Sequence, residues 1–256
     1  MSMQRPDKVG ACALCLRNGI LRDSHIISEF LYSALYDDKH RFYVIEAGEK
    51  YSEFEQKGLR EPLLCADCET KLSVWEAYAR DAFVGRHQFR FAMDADGVTW
   101  VEGVNYEQLK LFQLSILWRA GVAKQDFFSK VQLGPHAETL RRMLLAGDPG
   151  EPWQYGCLVW AVHLAGEPAS MIIQPTPFRL PDKAVGLRFS FGGLAWFYRI
   201  ASHKPAPGAF IEAVMQRSGR HALLLGKLEN AGFFRDFIQN HRRKLDGADG
   251  DPGAST

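Results

Sequence analysis

Two cysteine pairs with the same two-residue spacer, Cys12-Ala-Leu-Cys15 and Cys65-Ala-Asp-Cys68, lie near the ends of one block of the chain. The block runs from Cys12 to Glu76 and carries four of the five cysteines. A two-residue spacer lets both thiolates face one ion, and two pairs complete the tetrahedral four-thiolate shell that zinc prefers. The spacing also suits a redox C-x-x-C or two disulfides, although a thioredoxin-like site needs a βαβ pattern that the neighbouring sequence lacks. We therefore expect a structural zinc held by Cys12, Cys15, Cys65 and Cys68.

The composition is that of an ordinary globular protein. With 256 residues, 46% hydrophobic and 24% charged, the chain can bury a sizeable core as one large domain or two modest ones. The polar N-terminus does not resemble a secretory signal, and no apolar run approaches the roughly 18 residues that cross a bilayer. Paired cysteines beside one unpaired Cys157 fit a reducing compartment, so we expect a cytoplasmic protein without a membrane partner. The net charge of +1 leaves any nucleic-acid contact to local patches.

Three local signals lie inside the N-terminal block. Ser28 can cap a helix whose apolar side would carry Phe30, Leu31, Ala34 and Leu35. Residues 41–46 and 51–55 flank a polar turn and predict a hairpin. A helix over 69–83 follows the second cysteine pair, and its expected buried stripe consists of Leu72, Trp75, Ala79 and Phe83.

The rest of the chain alternates helix and strand signals. Residues 89–93 and 98–101 surround an Asp-Gly turn and predict a hairpin. Asn105 and Gln108 form a capping box before a helix that is apolar on most sides, and another helix begins near Pro135 and ends at Gly147. Strands over 157–162, 170–173, 186–191 and 194–200, joined by short turns, predict an antiparallel sheet.

Within the block, the order of these residues resembles that of the HNH nucleases, also called His-Me finger or ββα-metal nucleases. The elements that carry the resemblance are the two cysteine pairs, the dipeptide Ser24-His25 between them, and Glu69 directly after Cys68. The closest arrangement is that of the endonuclease VII-like subgroup. The resemblance covers about residues 9–85, a third of the chain.

The resemblance implies a role for each of these residues. His25 matches the general base that activates water, and Ser24 stands beside it where the family usually has Asp. Glu69 matches the helix-borne ligand of a catalytic Mg²⁺ or Mn²⁺, and Glu76 on the same helix is a further candidate ligand. The chemistry is coherent, since phosphodiester hydrolysis needs an activated water and positive charge beside the phosphate.

The sequence departs from the family pattern at three places. Ser24 replaces Asp, Glu69 replaces the His that often follows the last cysteine, and residues 26–64 contain no Asn that could orient the histidine. A serine hydroxyl is a weaker ligand than a carboxylate, so metal binding would depend on Glu69 and other nearby carboxylates. The nearby carboxylates are Asp23, Glu29 and Glu76.

Plain structural interpretations of the same residues stay open. His25 could pack beside the zinc or stabilise a cysteine turn through a hydrogen bond. Glu69 and Glu76 could belong to a solvated helix face, and Cys157 fits a small core residue better than a nucleophile.

Two basic runs are candidates for nucleic-acid contact, although ordinary solvated surface also explains them. One run leads into the first strand of the predicted hairpin at 89–101, and the other lies at the end of a predicted helix over 230–243. Their residues are Arg86, His87, Arg90, Arg242, Arg243 and Lys244.

Together these patterns predict an α+β fold. We expect an N-terminal zinc-stabilised ββα-type (HNH-like) module over 1–86, helices and an antiparallel sheet over 87–245, and a disordered tail over 246–256. The resemblance implies a metal-dependent DNA endonuclease, and by analogy with the family a setting in bacterial defence or mobile elements. The alternative is a catalytically inactive zinc-stabilised module that binds nucleic acid, a protein partner or another copy of the chain.

Overall fold

The computed structural model describes residues 8–33, 35–36, 39, 41–45, 53–55, 58–95, 98–164, 167–168 and 171–227. The strands within these ranges are β1 (Lys8–Ala11), β2 (Asn18–His25), β3 (Phe42–Ile45), β4 (Glu53–Glu55), β5 (Arg60–Leu64), β6 (Arg90–Met93), β7 (Thr99–Glu102), β8 (Cys157–Leu164), β9 (Glu167–Pro168), β10 (Met171–Arg179), β11 (Val185–Phe191), β12 (Leu194–Ile200) and β13 (His221–Lys227). The α-helices are α1 (Ala66–Phe83), α2 (Tyr106–Val122), α3 (His136–Ala146) and α4 (Ala209–Ala213). The predicted α+β class is confirmed.

The strands form two sheets. The smaller has the order β1-β2-β5 and is antiparallel throughout. The larger has the order β4-β3-β10-β11-β12-β8-β13-β7-β6, with β9 beside β8. Two pairs of neighbouring strands in this sheet are parallel: β3 with β10, and β13 with β8. The four strands predicted to form an antiparallel sheet, β8, β10, β11 and β12, do pair antiparallel with one another. The whole sheet is mixed because β3 and β13, which come from distant parts of the chain, add to it in parallel.

The smaller sheet leads directly into α1. β2 ends at His25, β5 runs antiparallel to β2, and one residue separates β5 from α1. Between β2 and β5 the chain forms the predicted hairpin β3–β4, which joins the edge of the larger sheet through β10. The N-terminal cysteine block therefore shares a sheet with the C-terminal strands.

Helix α2 lies in the core, as its apolar sequence predicts. Its residues from Tyr106 to Ala120 are mostly buried, and it packs against α1 and α3. The Asn105 side chain accepts the backbone N–H of Gln108 at 3.1 Å, so the predicted cap is present. The Asn105 N–H instead donates to the Tyr78 hydroxyl at 2.7 Å, which ties the start of α2 to α1.

Several boundaries differ from the prediction. Ser28 caps no α-helix: a single 3₁₀ turn, Glu29–Leu31, follows it without a side-chain cap. Helix α1 begins at Ala66 rather than at Glu69. Its stripe at Leu72, Trp75 and Ala79 is buried, but Phe83 is 40% exposed because it lies at the helix end.

The other local predictions that fall in the described ranges are confirmed. β6 and β7 pair as a hairpin, and α3 ends at Gly147, whose φ of 70° closes the helix in the left-handed conformation. The predicted helix over 230–243 and the tail over 246–256 lie outside the described residues. None of the helices in the described ranges has the length and hydropathy needed to span a bilayer.

A lysine lies inside the core. Lys110 on α2 is 1% exposed, and its ammonium donates to the carbonyls of Pro152 and Tyr155 at 3.3 and 3.1 Å. Burial lowers the pKa of Lys110 to about 7. Because a charged amine is costly to bury, the folded state loses this proton far more readily than an exposed lysine does.

This lysine makes stability depend on pH. In the unfolded chain the lysine has a pKa near 10.4. Between about pH 7 and pH 10 the unfolded state therefore binds more protons than the folded state, so the stability of the wild type rises with pH. We expect Lys110→Met to raise the free energy of unfolding most at pH 6, with the gain shrinking by roughly 2 kcal/mol at pH 9. Urea unfolding at both pH values measures it, with the exposed Lys124→Met as control. An equal effect of Lys110→Met at both pH values would contradict the prediction.

Candidate metal centre and the polar site beside it

The first cysteine pair lies in the tight turn between β1 and β2. The Cys12 N–H donates to the Arg17 carbonyl at 2.9 Å, and the Leu16 N–H donates to the Cys12 carbonyl at 2.8 Å. Leu16 has a φ of 64°, the left-handed conformation that closes the turn. Arg141 of α3 donates to the Leu14 carbonyl at 2.7 Å, so the turn is also fixed from the helical side.

The second cysteine pair spans the start of α1. Cys65 is the residue that precedes the helix, and Cys68 lies in its first turn. The two pairs meet because the Ala13 N–H donates to the Leu63 carbonyl at 3.0 Å, next to β2 and β5. Backbone hydrogen bonds therefore bring residues about fifty positions apart to one place.

The four sulfur atoms form a cluster of the right size for zinc. The Sγ atoms of Cys12, Cys15, Cys65 and Cys68 all lie within 4.8 Å of one another, and those of Cys15 and Cys65 are 3.8 Å apart. A tetrahedral ion with Zn–S bonds near 2.3 Å separates its sulfurs by about 3.8 Å. The thiols are free rather than disulfide-bonded, so the four-cysteine arrangement can hold zinc as predicted.

The electrostatics of the cluster also favour a cation. A hydrogen bond from Arg17 lowers the pKa of Cys15 to about 6. Burial raises the pKa of Cys65 and of Cys68, and contacts with the other cysteines raise that of Cys68 further. Thiols packed this closely oppose one another's ionisation, and a bound dication removes that opposition.

We expect the purified protein to hold one zinc per chain, because four thiolates fill a structural zinc shell. Cys65→Ser should lose the metal and most of its secondary structure, because the binding of a structural zinc is generally coupled to folding. Elemental analysis and circular dichroism measure both. Cys157→Ala is the matched control, because Cys157 is buried in β8 away from the cluster. A metal-free wild type of undiminished stability would contradict the prediction.

His25 is the last residue of β2 and lies in a polar setting. Its Nε2 is 2.5 Å from Glu29 Oε2, and Arg60 contacts the same carboxylate oxygen at 3.3 Å. Burial, aided by the charge of Arg60, lowers the pKa of His25, while Glu29 and Glu76 act in the opposite direction. The imidazole is therefore neutral at neutral pH, as a general base requires.

Ser24 turns inward from the position beside His25. It is 1% exposed, and its hydroxyl accepts the Leu64 N–H at 3.1 Å. Burial raises the pKa of Glu69, and the Ser24 hydroxyl partly offsets that rise. Ser24 thus holds β5 and α1 in place next to His25.

Glu69 and Glu76 project from α1 toward this region and differ in their partners. Burial raises the pKa of Glu69, and its Oε1 has no hydrogen-bond partner within the described part of the chain. Glu76 accepts a hydrogen bond from Ser28 at 2.8 Å and pairs with Arg119 at 2.7 Å. Glu69 is the carboxylate with unused binding capacity.

Arg119 of α2 connects these parts, and sequence reasoning missed it. The side chain is 1% exposed. Its Nη1 donates to the His25 carbonyl at 2.8 Å, and its Nη2 pairs with Glu76 and donates to the Ser28 hydroxyl at 3.3 Å. A cation inside a helix that is apolar on most sides is the signal that could have revealed it, since such a charge needs a buried partner.

Arg119→Met leaves Glu76 without its cationic partner and the His25 carbonyl without its Arg119 donor, so we expect a loss of roughly 3–5 kcal/mol in unfolding free energy. Adding Glu76→Gln should recover part of the loss, because the unpaired charge is gone. Denaturant unfolding of both single variants and the double variant measures this coupling. The exposed pair of Arg142 with Glu138 is the control, where Arg142→Met should cost less than about 1 kcal/mol. Equal losses at the two arginines would contradict the interpretation.

The predicted nucleic-acid contacts remain predictions. Arg86 pairs with Asp81 at 2.8 Å, and Arg90 pairs with Glu102 at 3.3 Å. His87 lies against the Tyr78 ring, with 4.8 Å between ring centroids. Arg242, Arg243 and Lys244 lie outside the described residues.

Comparisons of the chain with protein-family models, curated proteins and solved structures found no match.

Proposed function

We propose that this protein is a metal-dependent endonuclease of HNH type that hydrolyses phosphodiester bonds of DNA and carries a structural zinc on its four cysteines. The observation that supports it best is the succession of β2, β5 and α1, because Ser24, His25 and Glu69 lie on the two elements that the cysteine pairs adjoin. This order of two strands and a helix fits the HNH-like module that the sequence pattern predicts. Each proposed catalytic residue lies close in sequence to a zinc ligand or strand end, so the metal would fix their relative positions.

His25 is the proposed general base. Glu29 lies beside Nε2, and in the proposed mechanism this nitrogen would carry the hydrogen of the neutral imidazole while Nδ1 acts as the base. Nδ1 would take a proton from a water molecule whose oxygen attacks the phosphorus as the bond to the leaving oxygen breaks. Many members of the family orient this histidine with an Asn that the present sequence lacks, and Glu29 would orient His25 instead. Arg119 would fix the His25 backbone.

Glu69 is the proposed ligand for Mg²⁺ or Mn²⁺. Its buried Oε1 has no partner among the described residues, and a carboxylate oxygen is the kind of ligand these ions prefer. When bound, such an ion would offset the negative charge that develops on the phosphate and the leaving oxygen. Glu76 would support the site through Ser28 and Arg119 rather than as a primary ligand.

The test is cleavage of supercoiled plasmid, linear duplex, single-stranded DNA and RNA in the presence of Mg²⁺ or Mn²⁺. We expect the wild type to cut DNA and His25→Ala to cut at least about 100-fold more slowly, because a positioned general base contributes that much. His136→Ala, whose histidine contacts Tyr155 away from this site, should cleave like the wild type. Zinc content and circular dichroism must match in all three proteins.

A second function is favoured by one specific observation. The residue before His25 is a serine, which has no carboxylate to offer a metal. Ser24 is also buried, and its hydroxyl accepts a hydrogen bond from β5. That arrangement suits a non-catalytic zinc-stabilised module that binds nucleic acid or a protein partner. In this case the zinc-loaded wild type cleaves none of the substrates, and a gel-shift assay detects nucleic-acid binding that His25→Ala leaves unchanged.

A further inference from the structure

Strand β6 forms one edge of the larger sheet. Within the described part of the chain it pairs with β7 on one side only. All four of its residues are exposed, and Phe91 and Met93 are 62% and 74% exposed on one face. Natural sheets protect such edges, because unpaired N–H and C=O groups together with apolar side chains promote pairing with another strand.

The hydrogen-bond pattern shows which backbone groups face outward. The Asp94 N–H donates to the Val98 carbonyl at 3.0 Å, and Ala92 lies opposite Trp100. In an antiparallel pair, hydrogen-bonded positions alternate with positions whose backbone groups point away. The N–H and C=O groups of Phe91 and Met93 therefore point away from β7.

The sequence of this edge is complementary to itself. If a second copy runs antiparallel with Ala92 opposite Ala92, each Phe91 lies opposite a Met93, and these are the residues with outward-facing backbone groups. The same register places each Arg90 opposite an Asp94. A thioether beside an aromatic ring and a pair of opposite charges are both favourable cross-strand neighbours.

The two charged residues are held so that they can meet. The Asp94 carboxylate accepts the Val98 N–H at 2.9 Å and the Trp100 indole N–H at 2.6 Å, which fixes it on the face that carries Arg90. Arg90 is 83% exposed at its side chain and pairs with Glu102 at 3.3 Å. In the paired edge, Arg90 would lie between Glu102 of its own chain and Asp94 of the second copy.

We propose that the protein self-associates through β6, with two copies of the larger sheet joined about a two-fold axis at Ala92. The occupant of the edge is a second copy because the register satisfies backbone, apolar and charged groups at once. The paired segment, from Arg90 to Asp94, is short, and the area that it buries is well below that of a standard interface. Its association is therefore weak, with a dissociation constant on the order of 10–100 µM.

Charge exchange provides a direct test by sedimentation velocity over a range of concentrations. When two copies of Arg90→Glu pair, the new glutamate lies opposite Asp94, so two negative charges meet. When two copies of Asp94→Lys pair, the new lysine lies opposite Arg90, so two positive charges meet. Each variant alone should associate at least about tenfold more weakly than the wild type. An equimolar mixture of the two should associate like the wild type, because the carboxylate introduced in one variant then lies opposite the ammonium introduced in the other. Arg179→Glu, an exposed position on β10 in the same sheet, is the control and should not change association.

Asp94→Lys loses the contacts with Trp100 and Val98 and could fail to fold, so a second variant tests the same edge without disturbing them. Met93→Pro removes an N–H that faces outward and leaves the β6–β7 hydrogen bonds intact, so it should abolish association in a folded protein. Amide exchange at Phe91 and Met93 should slow as concentration rises. A monomeric wild type at every concentration would overturn the proposal, as would association that Arg90→Glu leaves unchanged. Slow exchange at these amides in a monomer would also overturn it, by showing that another segment of the same chain covers the edge.

Discussion

The buried guanidinium of Arg119 is the contact on which the candidate site depends. It lies inside α2, a helix surrounded by apolar neighbours, and its donors face the end of β2 on one side and α1 on the other. Removing such a charge from water is costly, so the fold must supply acceptors in fixed positions. The His25 carbonyl, the Ser28 hydroxyl and the Glu76 carboxylate are those acceptors. The strand that carries the proposed base and the helix that carries the proposed metal ligand are thereby held against one core helix.

The four cysteines lie beside the same two elements, where a bound zinc would hold them together. Cys12 and Cys15 precede β2, and Cys65 and Cys68 lie at the start of α1. Spacing within each pair is a local property, which is why the sequence predicts the cluster well. Helix α2 and the capping by Asn105 were equally predictable, because apolar periodicity and capping depend on near neighbours. The proposed catalytic roles of His25 and Glu69 rest on the resemblance and on the polar surroundings of the two side chains.

What could not be predicted depends on contacts between distant segments. Ser28 has the residue type of a helix cap, but its hydroxyl binds Glu76 and Arg119, which lie 48 and 91 positions away. The larger sheet is mixed because β3 enters beside β10 across more than a hundred residues, and hairpin signals carry no information about such pairing. The sequence shows Arg119 as a cation in a mostly apolar helix, but it gives no sign of which residues pair with it. Long-range polar contacts of this kind decide where the side chains of the candidate site lie.

The most direct measurement is the anomalous scattering of crystals of the zinc-loaded protein soaked in Mn²⁺. We expect one peak at the zinc edge among the four cysteines and a separate manganese peak beside Glu69, within reach of a water molecule next to His25. That result would place a hard cation where phosphodiester hydrolysis needs it. A zinc peak among the cysteines with no manganese near Glu69 at saturating concentration would contradict the nuclease proposal and leave the zinc-stabilised binding module.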